Sequence, residues 1–216
     1  MPQVMLAHFE RAAVDIAAHG DNDTLPFDID TRFVADKQAE LARVCVLFSD
    51  ELARDSGEIN RRKVTQLSVF SERLLAPTGP AGFRATTKIH PFWNLYLNGL
   101  AVCIASALEA TRSERVHSYR FLPDPGAELF DRTRSWRAFR EATVAGAAML
   151  KSGAVVVQTD ISSFYEHVSH HHVQNFVNDL LQDAGRVGNQ IDALLGKFSA
   201  GRSFGLPVGG QASRIL

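Results

Sequence analysis

Along the first twenty positions Val4, Leu6, Phe9, Ala12, Ala13, Ile16 and Ala17 recur at the three-and-four spacing that lays one apolar stripe on a helix. Gly20 follows as a natural stop. An acidic, turn-rich run (21–30) leads to a second helix predicted over about 32–56, with Gly57 closing it in the left-handed conformation. Leu67, Val69, Phe70, Leu74 and Leu75 predict a short helix ended by Pro77. Residues 77–82 are loop chemistry, and 84–89 read as a strand. Pro91 to Leu108 carries no charge over 18 positions, enough to reach the length of a membrane span. Asn94, Asn98 and Ser106 interrupt it and Pro91 suits a first helical turn, so a buried core helix is the better reading. A short strand is expected at 116–121. A helix is expected at 129–150, with Phe130, Trp136, Phe139 and Val144 facing inward, Arg132, Arg134, Arg137 and Arg140 among the polar positions, and Lys151–Gly153 closing it. Ala154–Gln158 is β-branched and apolar, as a central strand should be. Helices at about 163–182 and 189–198 precede a glycine-rich loop and the first turn of another helix.

Composition adds little to this picture until it is divided. The chain has 216 residues, 45% apolar and 22% charged, which excludes collagen, low-complexity disorder and a disulfide-stapled mini-protein. Cys45 and Cys103 lie in apolar runs and read as buried thiols of a reducing compartment. With no secretory pattern at the start, the expected address is the cytoplasm, with no membrane partner. The net charge of −1 hides an asymmetry. Residues 1–60 carry 5 basic and 12 acidic groups, and 61–151 carry 14 basic and 7 acidic. A basic middle third supplies a local field for phosphates, although arginine-rich surface helices are common without any such role.

Two segments carry candidate chemistry. In ValValValGlnThrAspIleSerSerPheTyrGluHisVal (155–168) an apolar strand delivers Asp160 at its C-terminal end, where α/β folds usually meet ligands and metals. The carboxylate is short enough to hold Mg²⁺ against phosphates. It is equally placed to cap the helix that begins near Ser163. In SerPheGlyLeuProValGlyGlyGlnAlaSerArgIleLeu (203–216), Gly205, Gly209 and Gly210 free the backbone, and the turn runs into a helix N-terminus that favours anions. Taken alone, that turn is a connector.

Taken together and in this order, AspIleSerSerPheTyr followed by GlyLeuProValGlyGlyGlnAlaSer resembles the palm motifs of bacterial reverse transcriptases of the group II intron, retron and defence-associated (abortive-infection) type. ArgAlaThrThrLysIleHisPro (84–91) and HisSerTyrArgPhe (117–121) resemble that family's fingers motifs more loosely. The resemblance covers about residues 70–216. It implies an α/β right-hand polymerase: a helical N-terminal extension (1–60), a fingers region (61–153) and a partial palm (154–216). It implies RNA-directed DNA polymerisation, with an RNA template, a DNA or RNA primer and dNTPs as partners, two Mg²⁺ ions as cofactors, and a possible place in phage defence. Asp160 matches the first catalytic aspartate, with the Ile161 carbonyl as a further metal ligand. Tyr165 matches the steric gate that excludes a 2′-hydroxyl, and Phe164 would face the core. Gly209 and Gly210 match the turn against the incoming nucleotide. Arg84 is the best match for a triphosphate contact, and Arg120 is a weaker one that is equally well structural.

Two departures qualify the resemblance. Val208 stands where intron-type enzymes usually have Gln, which draws the chain toward the defence-associated branch. The Tyr-x-Asp-Asp-type hairpin lies beyond the last motif present, and no Asp-Asp pair occurs in the sequence. Two-metal transfer needs several carboxylates, so the 216-residue chain alone is expected not to polymerise. A template-independent DNA polymerase and a non-catalytic nucleic-acid-binding or scaffolding remnant are the rival readings. Among weaker signals, His167 and His170–His172 read as a solvated helix face and Arg61–Lys63 as a helix end. Trp93, Tyr96 and Trp136 read as core. Residues 1–60 are either an extension packed on the fingers or a docking surface.

Overall fold

The computed structural model describes residues 4–20, 29–53, 57–126, 128–150 and 155–216. Four helices come first: α1 (Leu6–His19), α2 (Ile29–Asp36), α3 (Gln38–Ala53) and α4 (Gly57–Gln66). An antiparallel hairpin follows, β1 (Ser71–Pro77) and β2 (Phe83–Ile89), in the register Ser71↔Ile89 to Pro77↔Phe83. The central helix α5 (Pro91–Glu109) and then α6 (Trp136–Ala148) come next. The one-turn α7 (Phe164–His167), α8 (His170–Leu181), α9 (Arg186–Phe198) and the one-turn α10 (Ala212–Ile215) complete the chain.

Helix α5 starts where the sequence says it should. Pro91 occupies the first turn, and His90 caps it by accepting from the Phe92 amide at 3.3 Å. The helix is long and apolar enough to cross a bilayer, but it is buried on nearly every side. α1 packs along it, α3 and α4 lean on α1 and α9, and α8 pairs with α9. One continuous apolar cluster runs from Phe9 and Ile16 through Leu95, Tyr96 and Leu100 to Ile191, Leu194 and Ile215. The N-terminal helices therefore share their core with the later elements. Burial pushes the Cys45 and Cys103 thiols up to about 12, as the apolar setting of both cysteines implies.

Glycine permits a close approach of α1 to α5. The ring of Phe9 lies on the surface of Gly99, where a Cβ would stand 2.1 Å from Cδ1. Phe9 is completely buried, and it stacks on Tyr96 with ring centroids 5.5 Å apart.

Several expectations are overturned. Within the segment 67–77, residues 71–77 form strand β1 rather than a helix, because their hydrogen bonds go to β2, a pairing the spacing does not encode. The predicted helix over 32–56 is two helices, and Gly57 begins α4 instead of closing a helix. Residues 116–121 make a single bridge, Phe121↔Phe130, not a strand. The Arg120 guanidinium bonds back to the Ser113 and Val116 carbonyls and keeps that stretch curled. The helix expected at 129–150 starts only at Trp136. Asp131 accepts from the Thr133 amide and hydroxyl in a tight turn, and Ser135 caps the new helix through the Ala138 amide at 3.3 Å. Its aromatic face does not turn inward: no residue of α6 is buried, and Trp136 is 65% exposed.

The largest correction concerns the expected central strand. Residues 155–161 take no regular secondary structure and, among the described residues, belong to no sheet; Val155 and Val157 are 80% and 79% exposed. A strand exists only where a neighbour completes its ladder, and among the described residues the hairpin strands pair only with each other. The acidic loop 21–28, Ser56, the close at 151–153 and Ala154 lie outside the described residues.

Candidate functional site

The glycine loop, residues 203–211, is held from four directions. From the hairpin, the Thr86 hydroxyl and the Thr87 amide both donate to the Val208 carbonyl, at 2.7 and 3.2 Å. From the 160s, Tyr165 and Val168 offer carbonyls to the amides of Leu206 (2.7 Å) and Gly205 (2.8 Å). From α8, His170 Nε2 donates to the Gly205 carbonyl at 2.7 Å. From α5, Asn98 Oδ1 accepts from the Ala212 amide at 2.7 Å and so caps α10, while its Nδ2 donates to Asn94. The loop itself turns on Gly205 and Gly209, whose φ values of +101° and +107° are costly for any residue with a Cβ. Gly210 has no such φ, and a Cβ there would only touch Asn94 Oδ1 at 3.7 Å.

These contacts explain why the helix expected at 163–182 is broken. The loop takes the carbonyls of Tyr165 and Val168, and Ser169 bridges to Phe204. Val168 is therefore extended and α8 begins at His170.

Between β2, the end of α9 and this loop lies a cleft of about 70 Å³, with Arg73, Glu166 and Arg202 in its lining. Space on that scale holds a few waters, so a larger ligand would rest against the cleft rather than inside it. Arg73 and Arg84 have no ion-pair partner among the described residues, and the Arg202 Nε bonds the Ser199 carbonyl.

Each residue singled out in the sequence has a definite place. Tyr165 is half-buried against the core beside the loop, and its carbonyl is one of the loop anchors. Phe164 is 50% exposed, reversing the expectation that it faces the core, because the anchoring of Tyr165 turns α7 the other way. Asp160 is exposed on the irregular segment 155–161. It is not a helix cap, since Ser163 holds the N-cap position of α7. Ile161 is 67% exposed. Arg84 is exposed on β2, opposite Ala76. Arg120 binds Glu109 through Nε, with Glu114 at 3.7 Å and two carbonyls in reach. The Glu109 hydrogen bond and charge raise its pKa.

Mg²⁺ demands near-octahedral oxygen coordination, usually with more than one carboxylate in a two-ion centre. Asp160 and the Ile161 carbonyl are two donors. The described residues contain no group of three or more His, Cys, Asp or Glu able to hold a metal. By themselves they do not make a two-ion centre.

The residues that sequence reasoning missed are the anchors. His170 lies in a histidine run that reads as a solvated face, yet it is only 2% exposed. His171 and His172 are exposed, as expected. The one available signal was position: His170 falls on the apolar side of α8 with Val173 and Val177. Asn94 and Asn98 read as mere interruptions of an apolar helix, and they are its working polar groups. No protein-family model matches the chain, no curated protein is significantly similar to it, and no solved structure matches its fold.

Proposed function

We propose that this chain is the fingers and partial palm of an RNA-directed DNA polymerase, a reverse transcriptase of the bacterial defence-associated kind. The observation that carries the reading is convergence. The two palm-like motifs and the fingers-like strand, far apart in sequence, meet through backbone hydrogen bonds at one glycine loop: Tyr165 to Leu206, Val168 to Gly205, and Thr86 and Thr87 to Val208. A connector with no role in binding needs no such triple anchoring, whereas a loop that lies against a nucleotide must be held rigid.

In this reading the loop and Tyr165 position the sugar and base of a dNTP, Tyr165 disfavours a 2′-hydroxyl, and Arg73 and Arg84, which have no ion-pair partner among the described residues, attract phosphates. Asp160 supplies one carboxylate to a metal site that the described residues do not complete. Magnesium, when bound in a full site, would stabilise charge on the reacting phosphate. The incomplete donor set favours one second reading, a non-catalytic nucleic-acid-binding remnant.

Filter binding of an RNA–DNA primer–template, followed by dNTP addition, tests both. Salt-sensitive binding that weakens in Arg84→Ala and Arg73→Ala is expected, and no binding at low salt overturns both readings. Binding without extension supports the remnant. Extension supports the polymerase; Asp160→Asn should then abolish it and Tyr165→Ala should admit ribonucleotides.

A further inference from the structure

A cleft of about 440 Å³ adjoins the small one at the glycine loop and shares Arg73, Phe198, Ser199 and Arg202 with it. Its lining adds Lys197 from the last turn of α9. The chain reversal after α9 is what brings Arg202 here. Ser199 ends the helix, Ala200 and Gly201 take positive φ values of +56° and +83°, and the Gly201 amide donates to the Gly196 carbonyl at 2.7 Å. This is a left-handed helix close of the Schellman kind. It folds Arg202 back on the helix end. There the Arg202 Nε donates to the Ser199 carbonyl at 3.1 Å, and Ser199 Oγ donates to the Arg202 carbonyl at 2.8 Å.

Lys197 and Arg202 have an ordinary reason to stand at this end of α9, because the carbonyl end of a helix favours cations. Arg73 has no such reason: it belongs to β1 and reaches the same cleft from the hairpin. All three side chains are exposed, and among the described residues none has an ion-pair partner. Among those residues the larger cleft has no carboxylate in its lining, and the smaller one has Glu166 alone. Like charges gathered without a counter-charge repel, and a multiply charged anion relieves the repulsion. Two guanidinium forks match phosphate oxygens, and the lysine adds a point charge. Cations spread over two adjoining clefts suit an anion whose charges are spaced along a chain, more than one compact ion.

We propose that Arg73, Lys197 and Arg202 form a binding site for a run of phosphate groups, carried either by a free polyphosphate or by the backbone of a single nucleic-acid strand. The site shares only Arg73 with the nucleotide contacts proposed above, and it stands without the polymerase reading.

Calorimetric titration with sodium tripolyphosphate, at low salt and with EDTA present, tests the site. Saturable binding is expected, roughly tenfold or more tighter than that of orthophosphate and weakening as salt is added. Arg202→Ala should lower the affinity roughly threefold to tenfold. Lys197 is exposed, so Lys197→Glu keeps the test independent of folding, and its reversed charge should abolish binding. Arg84 lines neither cleft, and Arg84→Ala should leave the tripolyphosphate affinity unchanged. Competition separates the two sources: displacement of tripolyphosphate by a short oligothymidylate identifies a strand backbone, and failure to displace it identifies a free polyphosphate. The proposal is overturned if tripolyphosphate shows no saturable binding, or if orthophosphate binds as tightly. It is overturned equally if Lys197→Glu or Arg202→Ala binds like the parent, or if Arg84→Ala removes binding.

Discussion

Replacing Gly99 with Ala adds one methyl group at a tight helix–helix contact. The new Cβ would stand 2.1 Å from Phe9 Cδ1 and 2.4 Å from Cε1, whereas carbon atoms in contact sit about 3.5–4.0 Å apart. Relief requires α1 and α5 to part by roughly 1.4 Å, because the Phe9 ring is fully buried and stacked on Tyr96 and has nowhere to swing. Overpacking of this kind costs about 1–3 kcal/mol, and so rigid a contact belongs at the upper end. Alanine also returns about 1 kcal/mol of helix propensity at any helical glycine. Gly196→Ala in α9 isolates that return, since a Cβ there meets nothing within 4 Å. The difference between the two variants cancels propensity and leaves the clash, about 3 kcal/mol. Urea unfolding of the parent, Gly99→Ala and Gly196→Ala measures it, with Gly196→Ala at or above the parent. Phe9→Leu added to Gly99→Ala should recover part of the loss by removing the opposing ring. Equal stability of the two alanine variants, or no recovery with Phe9→Leu, refutes the packing argument.

Two further outcomes are expected. Asn98→Ala leaves the Ala212 amide without its acceptor and should cost about 1–3 kcal/mol, with hydrogen exchange at Ala212 accelerated relative to the rest of the core. Asp15 has its pKa raised, chiefly by burial and only partly offset by His19 and Arg214. A carboxyl raised in the folded state contributes stability that is fully present below its unfolded value of about 3.9 and is lost as pH rises through the folded value. Asp15→Asn does not ionise, so its stability relative to the parent should grow as pH rises from about 4. A difference that stays flat across that range in urea unfolding removes the buried-carboxylate argument.

Much of the helical framework was legible because it depends on local periodicity. The stripe from Phe9 to Ile16 gave α1, and the uncharged run after Pro91 gave α5, with its N-terminal boundary and its burial. The strand at 84–89 was legible from its β-branched composition. The failures share a cause. β1 was read as a helix because Leu74 and Leu75 fit both periods, and only the ladder to β2 chooses between them. The valines at 155–157 carry strand propensity, but among the described residues they have no sheet to join. The aromatic positions of α6 fit an inward stripe, yet a stripe says nothing of whether another element covers it.

For the candidate site, the residue types and their order along the chain were evident without coordinates: an aspartate after an apolar run, then a tyrosine, then a glycine turn before a helix. Their convergence was not. That Tyr165 and Thr86 reach the same loop, that one histidine of an apparently solvated run anchors it from beneath, and that Asn98 caps a helix more than a hundred positions away are contacts between distant segments. Sequence by itself determined the local propensities and the chemical inventory, because backbone dihedrals and side-chain type act over a few residues. Tertiary structure decided which polar groups are satisfied, which apolar faces are covered and which carboxylate is buried. Those outcomes depend on which segments pack together, and burial is what gives a hydrogen bond or an unmet charge its energetic weight.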